Sequence, residues 1–320
     1  AKGKGRPSIP PGVYFRMLFV GYFEGLGSQR GIAWRCSDSL SLRAFLGLSL
    51  TEETPDHSSL STIRNRLPLS VHEQVFLKLL AIAQDKKLLK GKTVAVDSTT
   101  LEANAAMKSI VRRDTNEDWN EYLTRLMQEE GRVTAGEQPN AEELRRFDKS
   151  RKNKSVSNDE WESPTDPDSR ITRMKDGTTH LAYKAEHVID LDSGVLMAAE
   201  IHRATEADTA TLEGSVVQAQ MNQEAAGSTE EIKNVVADKG YHAAETLTSI
   251  AEQSTIRTYI PEPRRKHKSK GKRKPPAQQS ALHRNRPRTR GNHRRKLQRL
   301  RSERVERSFA HLEKLKPHEA

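Results

Sequence analysis

The sequence predicts an α/β fold that is preceded by an all-helical N-terminal region, and three patterns carry this prediction. Apolar residues recur at helical spacing over residues 10–90. Two short β-branched runs, residues 92–96 (KTVAV) and 232–237 (IKNVVA), are typical of buried strands. Residues 181–190 and 195–202 flank an Asp-Ser-Gly turn and predict a hairpin. The 320 residues suffice for two domains, which we predict at residues 1–90 and 91–320.

Charge is concentrated in one segment. The net charge is +11, but residues 264–304, the basic tract, contain 18 Lys or Arg and one acid and carry +17, which leaves −6 for the rest. A block of this kind is typical of a polyanion contact, because neutralised phosphates release condensed counterions. A solvated tract or a localisation signal is the alternative.

Several classes of protein are excluded by composition. Cys36 is the one cysteine and forms no internal disulfide. The beginning of the chain lacks the pattern of a secretion signal, and the longest apolar run, residues 17–23, is too short for a membrane helix. We therefore expect a cytoplasmic protein that does not span a membrane.

Within the N-terminal region, Thr54-Pro-Asp precedes a short helical pattern that carries Arg64 and Arg66 on one side. This segment has the character of a recognition helix, and an ordinary amphipathic core helix is the alternative. We therefore interpret residues 1–90 as a helical DNA-binding domain in which both arginines contact DNA. The nearby Trp34 and Phe45 are expected to pack inside it.

The second half alternates polar and structured segments. Residues 112–168 are polar and acidic and predict an insertion with helical patterning near Trp119. Further along the chain, helices are predicted at residues 208–221, 243–252 and 294–316, and a strand at 255–260. No histidine pair has zinc-site spacing. Lys184, His187 and His202 lie in the predicted hairpin, where we expect them to be exposed strand residues.

Three carboxylates form a candidate metal site. Asp97 and Asp238 each follow a predicted strand, and Glu306 lies on the last predicted helix. Hard divalent ions such as Mg²⁺ prefer oxygen ligands, and clustered carboxylates hold two ions about 3.5 to 4 Å apart in phosphoryl-transfer sites. Taken singly, each residue has an ordinary alternative: an aspartate at a turn, or a surface glutamate paired with an arginine.

The order of these motifs resembles bacterial insertion-sequence transposases of the DDE superfamily. The resemblance extends over most of the chain, and its motifs are residues 94–100 (VAVDSTT), 166–187, 235–241 (VVADKGY) and 304–311 (RVERSFAH). It implies an RNase H-like catalytic domain over residues 91–320. There Asp97, Asp238 and Glu306 bind two Mg²⁺ or Mn²⁺ ions and catalyse DNA cleavage and strand transfer at element ends. A nucleoid-associated homodimer on double-stranded DNA is expected.

The last helix departs from the family pattern. Positions that hold Tyr, Arg and Lys in related transposases are Arg299, Ser302 and Glu313 here. Arg301 and Lys314 lie one residue from the expected Arg and Lys positions, and we expect them to supply the phosphate contacts instead. We also expect Arg304 to contact DNA. The chain begins without Met and ends 14 residues after Glu306, so a truncated copy is expected. Two alternatives follow: a catalytically inactive DNA-binding remnant, and an RNase H-like nuclease outside transposition, which the helical N-terminal region disfavours.

Overall fold

The structure is a computed structural model that describes residues 8–134, 136–152, 156–174, 177–263 and 274–314, with side chains as far as residue 310. Residues 264–273, the first part of the basic tract, lie outside the described residues. Among the described helices, none has the length and hydropathy that crossing a bilayer requires.

Five helices form the N-terminal region, as the apolar spacing predicts: α1 (Pro11–Glu24), α2 (Gln29–Asp38), α3 (Leu40–Leu46), α4 (His57–Arg66) and α5 (Leu69–Asp85). Their core gathers apolar side chains from α1 to α4, including Met17, Cys36 and Leu60, all three fully buried. Asp56 caps α4, because its carboxylate accepts the backbone N–H of Ser59 at 2.8 Å.

The prediction that Trp34 and Phe45 pack inside this region is wrong. The side chain of Trp34 is 64% exposed and that of Phe45 is 50% exposed. The apolar residues of α1 already fill the space between these short helices, so the outer faces of α2 and α3 carry their aromatic residues toward solvent.

A mixed sheet forms the centre of the second half. Its strands are β1 (Thr93–Glu102), β4 (Arg170–Arg173), β5 (Thr179–Asp190), β6 (Leu196–Arg203), β7 (Asn234–Val236) and β8 (Arg257–Tyr259). The strand order is β4-β5-β1-β7-β8, with β6 also paired to β5. Strands β1, β7 and β8 are parallel, whereas β5 runs antiparallel to β1. This arrangement confirms the expected α/β class and its RNase H-like mixed sheet.

One predicted strand boundary is wrong in a way that matters for the site. The first strand does not end before Asp97 but continues to Glu102, where it still pairs with Ala182 of β5. Threonine is β-branched and suits a pleated strand, so the polar run that looks like a turn in the sequence stays in the ladder. Asp97 therefore lies within β1.

Helices cover both faces of the sheet. On one face, α8 (Asp208–Ala225) and α9 (Ala244–Gln253) pack against β1 and β7. On the other face, α11 (Gly291–Lys314) packs through Leu297, Val305 and Phe309. The described part of the basic tract is thus helical and includes α10 (Pro276–Arg288), which the sequence patterns did not predict.

Residues between β1 and β4 pack around two small apolar clusters, one of which also includes Ile171 of β4 and Leu181 of β5. This segment contains β2 (Val111–Arg112), α6 (Trp119–Glu129), α7 (Ala141–Ser150) and β3 (Trp161–Glu162). Helix α6 was predicted from its apolar spacing, whereas α7 was not. Asn140 and Glu143 nevertheless form a capping box that marks the start of α7. The boundaries of the two domains remain a prediction.

Candidate active site

Asp97 lies on the face of β1 that α11 covers. Ala95, two residues earlier, packs against the apolar side of α11, and residues two apart in a strand share a face. The Asp97 Oδ1 atom accepts the backbone N–H of Ser98 at 2.9 Å. Its Oδ2 atom accepts a hydrogen bond from the guanidinium of Arg301 on α11. The Asp97 side chain is 25% exposed, so its carboxylate lies where sheet, helix and solvent meet.

Asp238 lies beside Asp97 because two parallel strands hold them in register. Ala95 of β1 pairs with Val236 of β7, and each aspartate follows two residues later. Asp238 then caps a short 3₁₀ turn, Lys239–Tyr241, and its Oδ1 atom accepts the N–H of Gly240 at 2.6 Å. Two aspartates that are 141 positions apart in sequence are thereby brought together.

Electrostatics at this pair favour a cation. Burial raises the pKa of Asp97, and the negative charge of Asp238 raises it further. Arg301 and the N–H of Ser98 act in the opposite direction, because both favour the ionised carboxylate. Arg301 therefore supplies positive charge to a partly buried carboxylate that lies beside a second one.

Position 240 has room only for glycine, because carboxylate oxygens of Asp208 and Asp238 lie close to its Cα atom. A Cβ atom at this position would lie 2.8 Å from Oδ2 of Asp208 and 2.9 Å from Oδ1 of Asp238. Both distances are shorter than real Cβ contacts, so a side chain here would displace one carboxylate. Asp208, in the first turn of α8, thus lies next to the predicted site, and the sequence patterns did not indicate it.

Helix α11 is fixed across the ends of the parallel strands. Gln298 donates its side-chain amide to the carbonyl of Ala237 at 3.0 Å and to that of Tyr259 at 3.1 Å. Val305 is fully buried against the sheet, whereas the next residue, Glu306, lies on the exposed side of the helix. The side chain that α11 presents to Asp97 is Arg301.

The expectation that Lys184 and His187 are exposed is wrong. The two residues are 6% and 5% exposed, because helices cover both faces of β5. His187 pairs with Asp97 in register, stacks on Phe309 with ring centroids 4.4 Å apart and shares a hydrogen bond with Ser308. Burial lowers the pKa of His187 to about 4, so it is neutral at physiological pH and supplies no positive charge beside Asp97.

The donor atoms at Asp97 and Asp238 fit a hard divalent ion. Both residues offer carboxylate oxygens, and within the described residues the second oxygen of Asp238 accepts no hydrogen bond. The guanidinium on Asp97 marks a position where positive charge is favourable. Two of the three predicted metal ligands are thus neighbours, whereas Glu306 is exposed on α11.

A second group could also hold a metal, and it lies on the opposite face of the sheet. Glu186, Glu200 and His202 place ligand atoms within 4.8 Å of one another in the described part of the chain. Glu186 and Glu200 are cross-strand partners in register, and His202 Nε2 lies 3.8 and 3.7 Å from their carboxylate oxygens. No short spacing in the sequence indicates this group, because Glu186 lies on β5 and the other two residues lie on β6.

The predicted DNA contacts occupy different environments. Arg64 and Arg66 are exposed on α4. Arg301 faces Asp97. Arg304 packs over the β5–β6 turn at Gly194, where an added Cβ atom would lie 2.8 Å from the Arg304 guanidinium. Other cations are exposed along the described part of the basic tract: Arg284, Arg290, Arg295, Lys296 and Arg299.

Two protein-family models match the chain. The model of the Transposase DDE domain matches residues 89–316, and that of the Transposase domain (DUF772) matches residues 1–66. The chain therefore belongs to the family of transposases with a DDE domain. No curated protein matches the chain.

Among solved structures, the chain is similar to the Mos1 transposase paired-end complex with left transposon end. The sequences are 8% identical, the TM-score is 0.24, and the match covers 81% of this chain. The chain spans 60% of the length of that transposase chain.

Proposed function

We propose that this chain is a transposase that cleaves and joins DNA strands at the ends of an insertion sequence, with two Mg²⁺ or Mn²⁺ ions. One observation carries the proposal: Asp97 lies within β1 and Asp238 lies two residues after the last paired residue of the parallel strand β7, so the two are neighbours, and Asp97 is already paired with a cation. Bound divalent ions would activate the attacking oxygen and stabilise the leaving oxygen of a phosphodiester.

The chain's own residues would hold and orient the ions. Asp97 and Asp238 supply carboxylate oxygens, and backbone N–H groups fix one oxygen of each. Arg301 balances the charge of Asp97 before ions and DNA arrive. We propose Glu306 as the third metal ligand, and the motif at residues 304–311 supports this role.

For DNA binding, we propose that α4 contacts the element ends through Arg64 and Arg66. The exposed cations of α10 and α11 add contacts to phosphate, because such contacts are independent of sequence and position the protein. Transposition requires two element ends to be held together, so we propose that the chain acts as a homodimer on double-stranded DNA.

The test is a nicking assay with D97N and D238N. The substrate is a supercoiled plasmid that carries the encoding element with its flanking DNA, and Mn²⁺ is varied. We expect each variant to lose at least about 100-fold in nicking rate, since each removes charge that binds the reacting centre. The matched control is D85N, an exposed aspartate at the end of α5, which should nick like the wild type. Unchanged nicking in D97N or D238N would overturn the proposal.

A second candidate function is DNA binding without cleavage, and the exposed position of Glu306 favours it. In that case the wild type binds plasmid DNA with an affinity that falls as salt rises but does not nick it at any Mn²⁺ concentration. The variant E306Q separates the two candidates. Loss of nicking in E306Q supports a three-carboxylate enzyme, whereas wild-type protein that binds and never nicks supports the second function.

A further inference from the structure

Behind the two aspartates, on the α8 face of the sheet, six polar residues form a connected group that we call the polar ring. Its members are Ser98, Lys184, Glu186, Asp208, Thr211 and Tyr241. Ser98 directly follows Asp97, and Tyr241 closes the turn that Asp238 caps. The ring thus connects the chain segments that carry both aspartates.

Tyr241 provides the connection between these segments. Its side chain is fully buried, and its hydroxyl donates to Oε2 of Glu186 at 2.7 Å. The same phenol oxygen contacts the hydroxyl of Ser98. Burial raises the pKa of Tyr241, so the phenol keeps its proton and donates a hydrogen bond to Glu186.

The remaining members close the ring through α8. Ser98 contacts Oδ1 of Asp208 at 3.0 Å, and the Lys184 ammonium lies 3.5 Å from the same atom. Lys184 also donates to the Thr211 hydroxyl at 2.9 Å, and Thr211 donates to Glu186 at 2.9 Å. Each side chain is therefore held by at least two others.

Glu186 is an unusual residue to bury for stability alone. It is fully buried, and three hydroxyls donate to its carboxylate, those of Thr211, Ser215 and Tyr241. The nearest cation, Lys184, lies 4.0 Å away and is shared with Asp208. A buried ionic group often contributes less stability than apolar residues of equal volume, so its place directly behind the two aspartates points to a role in the site.

We propose that Tyr241 is a positioning residue that fixes the separation of Asp97 and Asp238 through its contacts with Glu186 and Ser98. The inference rests on the proposed function, because it takes the two aspartates to be metal ligands. Without the phenol hydroxyl, the 3₁₀ turn loses its link to the segment after Asp97. The two carboxylates then sample more separations and bind a divalent ion less tightly.

The experiment measures Mn²⁺ binding to the full chain by electron paramagnetic resonance. We expect Y241F to weaken binding at the aspartate pair about tenfold, as is usual when a group that orients metal ligands is lost. The matched control is Y183F, which also removes one phenol hydroxyl. The Tyr183 hydroxyl donates to Asp166 at 2.5 Å, and its loss should leave Mn²⁺ binding unchanged. D238N identifies the signal, because binding that it removes belongs to the aspartate pair, whereas binding that persists belongs to other groups such as Glu186, Glu200 and His202.

Each outcome decides the proposal. Weaker Mn²⁺ binding in Y241F, at a melting temperature close to that of Y183F, supports it. Unchanged Mn²⁺ binding in Y241F overturns it, whatever happens to the melting temperature. If Y241F does not fold, S98A removes the second contact of the phenol and must weaken Mn²⁺ binding for the proposal to stand. A different result would overturn the proposed function itself. In that case D238N binds Mn²⁺ as tightly as the wild type, so the aspartate pair binds no ion.

Discussion

Arg301 is predicted to stabilise the metal-free protein by neutralising Asp97. In R301Q the carboxylate stays partly buried beside Asp238 but loses its cation. The side chains of Arg301 and Asp97 are 12% and 25% exposed, between the surface and the interior. Exposed pairs contribute about 0.2–1 kcal/mol, and breaking a buried pair costs about 3–5 kcal/mol. We therefore expect R301Q to lower the free energy of unfolding by about 2 kcal/mol at pH 7.

The effect has a defined dependence on pH and on metal. Without Arg301 the pKa of Asp97 rises further above its ordinary value, because an attractive charge is gone. The stability deficit of R301Q is therefore complete at pH values above the folded-state pKa of Asp97, where the carboxylate is charged. It shrinks as pH falls through the folded-state pKa of Asp97, since a neutral carboxyl needs no cation. Mn²⁺ should stabilise R301Q more than the wild type, because the ion replaces the missing charge.

Urea denaturation with and without Mn²⁺ measures both effects. The matched control is R307Q on the same helix, since Arg307 pairs with Glu303 and the two side chains are 65% and 52% exposed. We expect R307Q to cost at most about 0.5 kcal/mol, with no dependence on Mn²⁺. If R301Q is no less stable than R307Q and responds to Mn²⁺ like the wild type, the reasoning about Asp97 is refuted.

Three further predictions concern other parts of the molecule. His187 should titrate near pH 4 by NMR, and a midpoint near 6.5 would contradict this. Between about pH 6.5 and about pH 4 only the unfolded chain binds a proton at this residue, so the free energy of unfolding should fall by about 3 kcal/mol over that range. G240A should lower the midpoint of urea unfolding and weaken Mn²⁺ binding, because its Cβ displaces a carboxylate, whereas G214A in open helical space should do neither. R64A and R66A should each weaken DNA binding and reduce the slope of log affinity against log salt by about 0.9; an unchanged slope would exclude phosphate contact.

Most elements of the fold could be predicted from local patterns. The spacing of apolar residues predicts the helices of the N-terminal region, and the hairpin of β5 and β6 follows from two runs around a turn. Helix α10 could not be predicted in this way, because its residues are mostly polar and few are apolar. It exists through packing against α9 and β8, where Asn285 bonds the backbone of Ile260.

The environment of each charged residue depended on its neighbours in space. Lys184 and Glu186 lie on the α8 face of β5 and His187 on the α11 face, and all three are buried because helices cover both faces of this strand. No apolar spacing in the sequence marks them as buried. The end of β1 was also undetermined locally, since a polar run pairs with β5 as readily as it turns.

By itself, the sequence determined the order of the elements, the basic tract and the two strands that carry Asp97 and Asp238, because these depend on residue type and near spacing. Only the tertiary structure decided which side chains meet. It brought Arg301 to Asp97, turned Glu306 toward solvent and placed the polar ring behind both aspartates. The physical reason is that the rotation of a helix such as α11 is decided by the apolar residues it buries, here Leu297, Val305 and Phe309, and its charged residues follow.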